Sequence, residues 1–241
     1  MLINADVKSL EIVAAAYLSR DEILIQEIRN KVDTHGDNQK RFGLPTRLIA
    51  KTFVFRLIYG GSAYSYSIDP EFASVGYTQS QWQDVIDEYY NKYKGMARWH
   101  NDLMKQAITT GRLVMPTGRI YTFKPEQKRN DIVWPRTTIL NYPVQGLGAD
   151  LVCIARVSAY RRMQGLTSLL ISSVHDSIVA DSPLNEVEQI CKILKSSVED
   201  IPKNFERLFR IPFDLPLNVE IQIGENLKNT VDIEIFSCYN I

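Results

Sequence analysis

The sequence predicts an α+β fold: an antiparallel-sheet unit interrupted by an inserted, mainly helical block. Three observations carry this expectation. The chain opens on a short apolar run ending in an acidic residue, 1-MLINADV-7, which reads as a strand end. Helical periodicity then dominates as far as residue 110. Strand-type runs return at 167-TSLLISSVHDSIVADS-182 and 217-LNVEIQIG-224, so strands and helices do not alternate one by one.

Taken in order, Leu10, Ile12, Val13, Ala16 and Tyr17 predict a helix capped by Ser9 or Asp6. The polar stretch 33-DTHGDNQKRFGLP-45 reads as a loop leading into the next helix. That helix, 46-TRLIAKTFVFRLIY-59, stops at Gly60-Gly61. Residues 78–110 read as one or two long helices opening at Thr78 or Ser80, with Trp82, Val85, Ile86, Tyr89, Tyr90 and Tyr93 as the apolar face and Gly95 as a break. Two short β-type runs around Pro-Thr-Gly in 111-GRLVMPTGRIYTF-123 signal a hairpin. Helix is expected again at 144–164 and 184–200, and a tight turn at His175-Asp176 separates the two strands of 167–182.

The 241 residues allow one large domain or two modest ones, and 45% hydrophobic with 23% charged residues is an ordinary globular composition. Lys+Arg 28 balances Asp+Glu 28, so only local charge can speak for a nucleic-acid partner. Cys153, Cys191 and Cys238 are far apart and form no C-x-x-C pair, and His35, His100 and His175 are scattered. Reduced structural thiols in a cytoplasmic protein are expected, and a Cys/His zinc site is not. No signal-peptide pattern is visible, and runs such as 12-IVAAAYL-18 are far short of the ~20 residues that span a bilayer.

Three features carry chemistry. Arg47, Lys51, Phe55 and Tyr59 recur every fourth residue and so share one broad helix face, while Leu48, Phe53, Val54, Leu57 and Ile58 are expected to face a core. Cations at one end of a face and aromatics at the other suit a ligand with phosphates and a flat base or sugar. A solvated Arg/Lys pair above two buried aromatics is the alternative. Asp6 ends one strand and Asp176 sits in an apolar hairpin; each alone could be a cap or turn residue. As a pair on adjacent strands they could hold two Mg²⁺ ions, since that ion takes one or two carboxylates plus substrate phosphates. Finally, residues 92–129 hold Lys92, Lys94, Arg98, Lys105, Arg112, Arg119, Lys124, Lys128 and Arg129 against Asp102 and Glu126, with Tyr93, Trp99, Tyr121 and Phe123 interleaved. This suits a surface that contacts a nucleic-acid template; solvated helix faces are the alternative.

With these residues in view, the chain resembles the polymerase module of the family A (DNA polymerase I-like) DNA polymerases. Motif A of that family resembles D-Y-S-Q-I-E-L-R, and here it reads 6-DVKSLEIV-13. Motif B, R-x3-K-x3-F-x3-Y-G, is matched by Arg47, Lys51, Phe55, Tyr59 and Gly60. Motif C, V-H-D-E, reads 174-VHDS-177; 141-NYPVQG-146 is similar to the family's N-x-P-x-Q-G in a phage-like form, and 214-DLPLNVEIQIGEN-226 to its C-terminal strand and G-E-N signature.

The resemblance implies a palm at 1–32 and 136–241, fingers at 33–135, and no thumb or exonuclease domain. It implies template-directed DNA synthesis, with two Mg²⁺ as cofactors and primer-template DNA and dNTPs as partners. Asp6 and Asp176 would hold the metals, and Arg47, Lys51 and His35 would meet the triphosphate, with Lys51 a proton donor to the leaving pyrophosphate. Phe55 would pack on the sugar and Tyr59 beside the base pair. Asn141, Gln145 and His175 would contact primer-template. Glu11 occupies the place where the family's Glu excludes a ribose 2′-OH, which implies dNTP use, and Phe rather than Tyr at position 55 implies poor acceptance of dideoxynucleotides.

Ser177, Val13 and Thr137 depart from the family pattern, with Arg136 adjacent to the last. Met1 falls about one strand before Asp6, so a split polymerase is expected, with thumb and exonuclease on a separate polypeptide. In this reading the chain works in the cytoplasm, that of a host if it is phage-encoded. The competing function is a catalytically idle primer-template-binding remnant.

Overall fold

The structure, a computed structural model, describes residues 1–128 and 131–233. Arg129 and Cys238 lie outside the described residues. In chain order the elements are β1 (Leu2–Val7), α1 (Leu10–Ser19), α2 (Glu22–Arg29), α3 (Thr34–Arg41), α4 (Arg47–Ile58), α5 (Ala63–Ile68), a 3-10 turn (Pro70–Val75), α6 (Gln79–Lys92), α7 (Lys94–Thr110), β2 (Arg112–Val114), β3 (Ile120–Thr122), β4 (Glu126–Lys128), β5 (Asp131–Val133), α8 (Arg136–Arg162), β6 (Leu169–Val174), β7 (Ser177–Asp181), α9 (Val187–Glu199), α10 (Ile201–Phe209), β8 (Val219–Asn226) and β9 (Asn229–Ile233). They group into two compact units: Met1–Leu10 with the chain from Leu147 onward, and Glu11–Gly146.

The first unit is built on a five-stranded antiparallel sheet in the order β6-β7-β1-β8-β9. The first strand of the chain is therefore its central strand. Alternation explains the placement: Ile3, Ala5 and Val7 are fully buried, while Leu2, Asn4 and Asp6 on the other face are half-buried. Helix α9 packs on β1 and β8, burying Ile190, Cys191, Leu194 and Val198. Burying a side chain of this size contributes about 1.5–3 kcal/mol. Ser9, beside α1, takes φ 53°, and Asp6 is paired within the sheet, so Asp6 is not a helix cap.

The second unit has an aromatic core. Trp82 stacks on Phe53 at 5.7 Å and on Tyr66 at 5.1 Å, Phe72 meets the same indole edge-on, and Tyr66 Oη donates to the carbonyl of Phe53 at 3.0 Å. Helix α4 is thereby seated by Ile49, Ala50, Phe53, Val54, Leu57 and Ile58, all buried. Thr46 caps its start by accepting from Ile49 N at 3.1 Å. At its end Gly60 (φ 86°) donates to Leu57 O and Gly61 to Arg56 O, the paired 5→2 and 6→1 bonds of a Schellman stop.

Four expectations are corrected. Residues 34–41 form helix α3 rather than loop, because its buried stripe is polar: Thr34, His35 and Asn38. Asn38 Oδ1 accepts from Lys92 Nζ at 2.9 Å and Tyr93 Oη at 3.2 Å, contacts that no hydrophobic periodicity reveals. Gly95 does not break the helices, since the junction falls at Tyr93 and Gly95 lies in the first turn of α7. It is glycine because a Cβ there would stand 2.5 Å from Asp21 Cα. Helix α8 starts at Arg136, well before 144, and carries Pro143 inside it. The lost N–H of Pro143 is outweighed by packing: Ile139 and Leu140 are fully buried with Leu103, Ala107, Leu113 and Phe123. Leu48 does not face the core and is 67% exposed. It lies three and four residues before Lys51 and Thr52, on the same side as the cationic stripe.

The hairpin around Pro-Thr-Gly forms as expected, with Gly118 at φ 83° and its N–H bonded to Met115 O at 2.9 Å. The β4–β5 and β8–β9 hairpins and α10 were not legible in the sequence. No helix among the described residues is long and apolar enough to cross a membrane.

Candidate functional site

Within the sheet unit, Asp6 lies in β1 with its Cα opposite Ser177 of β7 and Glu220 of β8. Asp176 is the next residue back along the chain from Ser177, in the two-residue turn between β6 and β7, and its carbonyl accepts from Val7 N at 3.0 Å. The register therefore brings Asp6 and Asp176 one step apart at the same end of two neighbouring strands. Both are half-buried. His175, exposed, takes the left-handed conformation at φ 52°. A non-glycine residue there costs about 1–2 kcal/mol, which marks the turn as strained. Ser177 holds the turn closed: its Oγ donates to Val174 O at 3.0 Å, while Ser173 Oγ donates to Ser177 O at 3.0 Å. Nearly buried, Ser177 acts here on the backbone of the turn, which gives its side chain a structural task where the family pattern has an acid.

Two carboxylates fit a hard cation that keeps waters and takes further oxygen ligands from a substrate. Among the described residues no group of three or more His, Cys, Asp or Glu side chains is gathered in the manner of a self-sufficient metal cage.

Within the helical unit, the stripe on α4 meets α3. Arg47 is forked onto Asp33, its Nε donating to both carboxylate oxygens at 3.0 and 2.9 Å and its Nη2 donating at 2.8 Å. This pairing holds the Asp33 carboxyl below its usual range, with desolvation opposing. Lys51 Nζ stands 5.6 Å from the ring centroid of Phe55, and the His35 ring lies 5.7 Å from the same ring, tilted by 43°. His35 is buried, and its Nδ1 has no hydrogen-bond partner among the described residues. Burial first, then the charges of Arg47 and Lys51, push its pKa down to about 4. The imidazole is thus neutral at pH 7, beside two cations.

Tyr59 caps the end of α4 and its hydroxyl accepts from Gln145 Nε2. Burial, with the Glu11 charge second, raises the phenol to about 12, so it stays protonated. Asn141 and Gln145, one turn apart on α8, share a face. Gly146 next to them admits the Tyr121 hydroxyl, which any Cβ would strike. Val13 is buried in α1, which accounts for an apolar residue where the family has Arg. Arg136 donates to Tyr90, whose hydroxyl is 2.9 Å from His100 Nδ1.

The basic stretch needs one correction. Lys92 and Tyr93 are core residues, not surface: Lys92 Nζ is 2.9 Å from Glu27 and 2.6 Å from Asp37, and Tyr93 Oη donates to Glu27 at 2.8 Å. Lys94, Arg98, Lys105, Arg112, Arg119, Lys124 and Lys128 are exposed. Phe123 is buried, while Trp99 and Tyr121 are half-buried against the Leu103 cluster. Asp33 begins the 33-DTH-35 segment in which His35 was singled out, but its pairing with Arg47 was not read. Sequence reading passed over Asp21, which stands at no marked spacing because it acts on an element distant in sequence.

His35 and the buried His100, whose pKa burial also pushes to about 4, give a pH prediction. Both have folded pKa values depressed below the ordinary 6.5 of histidine. Between about 4 and 6.5 the unfolded chain therefore binds protons that the folded chain does not, and stability rises with pH. The thermal midpoint should fall on acidification through that window. A double variant, His35→Gln with His100→Gln, should show a shallower slope in the same titration; an unchanged slope would contradict the assignment.

The family model described as DNA polymerase family A matches residues 1–229. DNA polymerase I of Chloroflexus aurantiacus is 27% identical over 93% of this chain, which spans 24% of that protein. The thermostable DNA polymerase I of Thermus filiformis is 27% identical over 94% of the chain, which spans 27% of it. The chain thus spans about a quarter of the length of these relatives. Among solved structures, the POL domain of Pol1 from M. smegmatis, in complex with DNA primer-template and dNTP, superposes with a TM-score of 0.77 at 22% identity, over 92% of this chain and 39% of that one. That likeness bears on the fold, which it shares. A family match along nearly the whole chain, over a sheet that sets Asp6 beside Asp176 and a helix that carries Arg47, Lys51, Phe55 and Tyr59, has one reading: the chain belongs to DNA polymerase family A.

Proposed function

We propose that this chain carries the nucleotide-adding part of a DNA polymerase, transferring a nucleotide from a dNTP to a primer 3′-OH on a DNA template. The observation that carries the reading is the register that sets Asp6 and Asp176 side by side in a chain matched by the family from residue 1 to 229. Residues 1–32 and 136–241 are proposed as palm and 33–135 as fingers. When bound, two Mg²⁺ ions held by Asp6 and Asp176 would lower the pKa of the primer hydroxyl and offset charge on the leaving pyrophosphate.

The protein's own groups do the rest. Arg47 and Lys51 hold phosphate oxygens by charge-assisted bonds, and Lys51 Nζ gives a proton to pyrophosphate as it leaves. Neutral His35 offers a ring nitrogen to the same phosphates. Phe55 packs on the sugar, Glu11 fills the space of a 2′-OH, and Tyr59 closes the base-pair side. Asn141, Gln145 and His175 contact primer-template, while the exposed cations from Lys94 to Lys128 track the template backbone.

Primer extension with dNTPs and Mg²⁺ tests this reading, with the thumb and exonuclease portion of a family A polymerase added or left out. Extension that depends on Asp6 and Asp176 is expected in at least one condition. No extension under either would favour an idle primer-template-binding subunit.

A further inference from the structure

The nearest anion to the cationic end of the α4 stripe belongs to the protein itself. Asp33 engages Arg47 through both carboxylate oxygens, at 2.8 to 3.0 Å. This is the geometry with which a guanidinium takes a phosphate. Both side chains are more than half exposed, 57% for Arg47 and 55% for Asp33, so an incoming anion can reach the pair.

Asp33 stands immediately before α3, with its carboxylate against the Gly36 backbone and no side-chain cap bond made. Gly36 permits this approach, since a Cβ there would lie 2.5 Å from Asp33 Oδ2. A carboxylate at a helix start is favoured by the unpaired N–H groups of the first turn. The helix start thus offers Asp33 another partner if Arg47 turns away.

We propose that Asp33 is an internal counter-anion: it occupies the Arg47 fork in the nucleotide-free protein, and the triphosphate must displace it to bind. Asp33 is thus a positioning residue that sets nucleotide affinity, lowering it by the cost of breaking its pair with Arg47. A triphosphate brings the charge to displace it, and a monophosphate leaves the pair in place. His35 and Lys51, next to the fork, face the same ligand. The inference rests on the reading of Arg47 as a phosphate ligand.

The test is equilibrium binding to the full chain, with Mg-dATP and separately dAMP as probes. The proteins are the wild type, Asp33→Asn, Arg47→Ala and the double variant. Asparagine keeps the size and a side-chain oxygen but removes the charge. Asp33→Asn is expected to tighten Mg-dATP about fivefold, the scale of an exposed ion pair, with less gain at high salt. The gain should vanish in the Arg47→Ala background and be absent for dAMP. Unchanged or weaker Mg-dATP binding by Asp33→Asn would overturn the proposal, as would an equal gain for dAMP or a gain that survives Arg47→Ala. Should Arg47→Ala alone bind Mg-dATP as well as wild type, the phosphate role of Arg47 fails first, and this outcome is separate from the others.

Discussion

Replacing Asp176 by alanine is expected to lower primer extension by about a thousandfold or more, and Asp6→Ala should do the same. The size follows from what the pair is proposed to hold. Hard cations of this kind are held by only one or two protein carboxylates, their other ligands being water and phosphate oxygens, so each carboxylate carries much of the protein's hold. With one removed, the remaining carboxylate cannot by itself fix metals at the spacing the reaction needs. The turn that carries Asp176 is held by backbone contacts that alanine leaves intact, namely Val7 N to Asp176 O and Ser177 Oγ to Val174 O. Loss of activity with an unchanged melting temperature is therefore the expected pattern. The assay is single-nucleotide incorporation under the conditions in which the wild-type chain extends a primer, and incorporation that survives either substitution would remove Asp6 and Asp176 from the metal site.

The largest effect on stability is expected at a residue far from any motif. Asp21, 2% exposed, serves two helices at once. Its Oδ1 accepts from Leu24 N at 3.0 Å and caps α2, while its Oδ2 accepts from Gly95 N at 2.6 Å and Met96 N at 3.2 Å at the start of α7. In Asp21→Ala three buried N–H groups lose their acceptor together. Each such loss costs about 1–3 kcal/mol, and the total should reach about 3–5 kcal/mol after relaxation. For a chain of this size that corresponds to a drop of about 10 °C in the melting temperature. Asp21→Asn keeps one oxygen and should fall between wild type and alanine. Urea unfolding measures the difference; a cost below about 1 kcal/mol would show that the helix junction finds other partners.

Much of this was open to a reader of the sequence because it follows from local rules. The opening strand, the Gly60-Gly61 stop and the Pro-Thr-Gly hairpin each depend on a few neighbouring residues, and each formed where expected. Helix α3 was missed for the opposite reason. Its buried face is Thr34, His35 and Asn38, polar residues that look solvated until Lys92 and Tyr93 arrive from a part of the chain more than 50 residues away. Lys92 was misread as a surface cation on the same ground, since its charge is matched by Glu27 and Asp37 inside the core.

What the sequence by itself determined, then, was the α+β class, the family, and the identity of the residues on the α4 stripe and in the β6–β7 turn. Their types and spacings are covalent facts, and a helical or extended period turns spacing directly into a shared face. Only the tertiary structure decided that β1 is the middle strand of the sheet, that His35 is buried and neutral, that Asp21 binds two helices, and that Arg47 already holds an anion in Asp33. These depend on desolvation and on contacts between elements distant in sequence, and their energies exist only once the chain has folded.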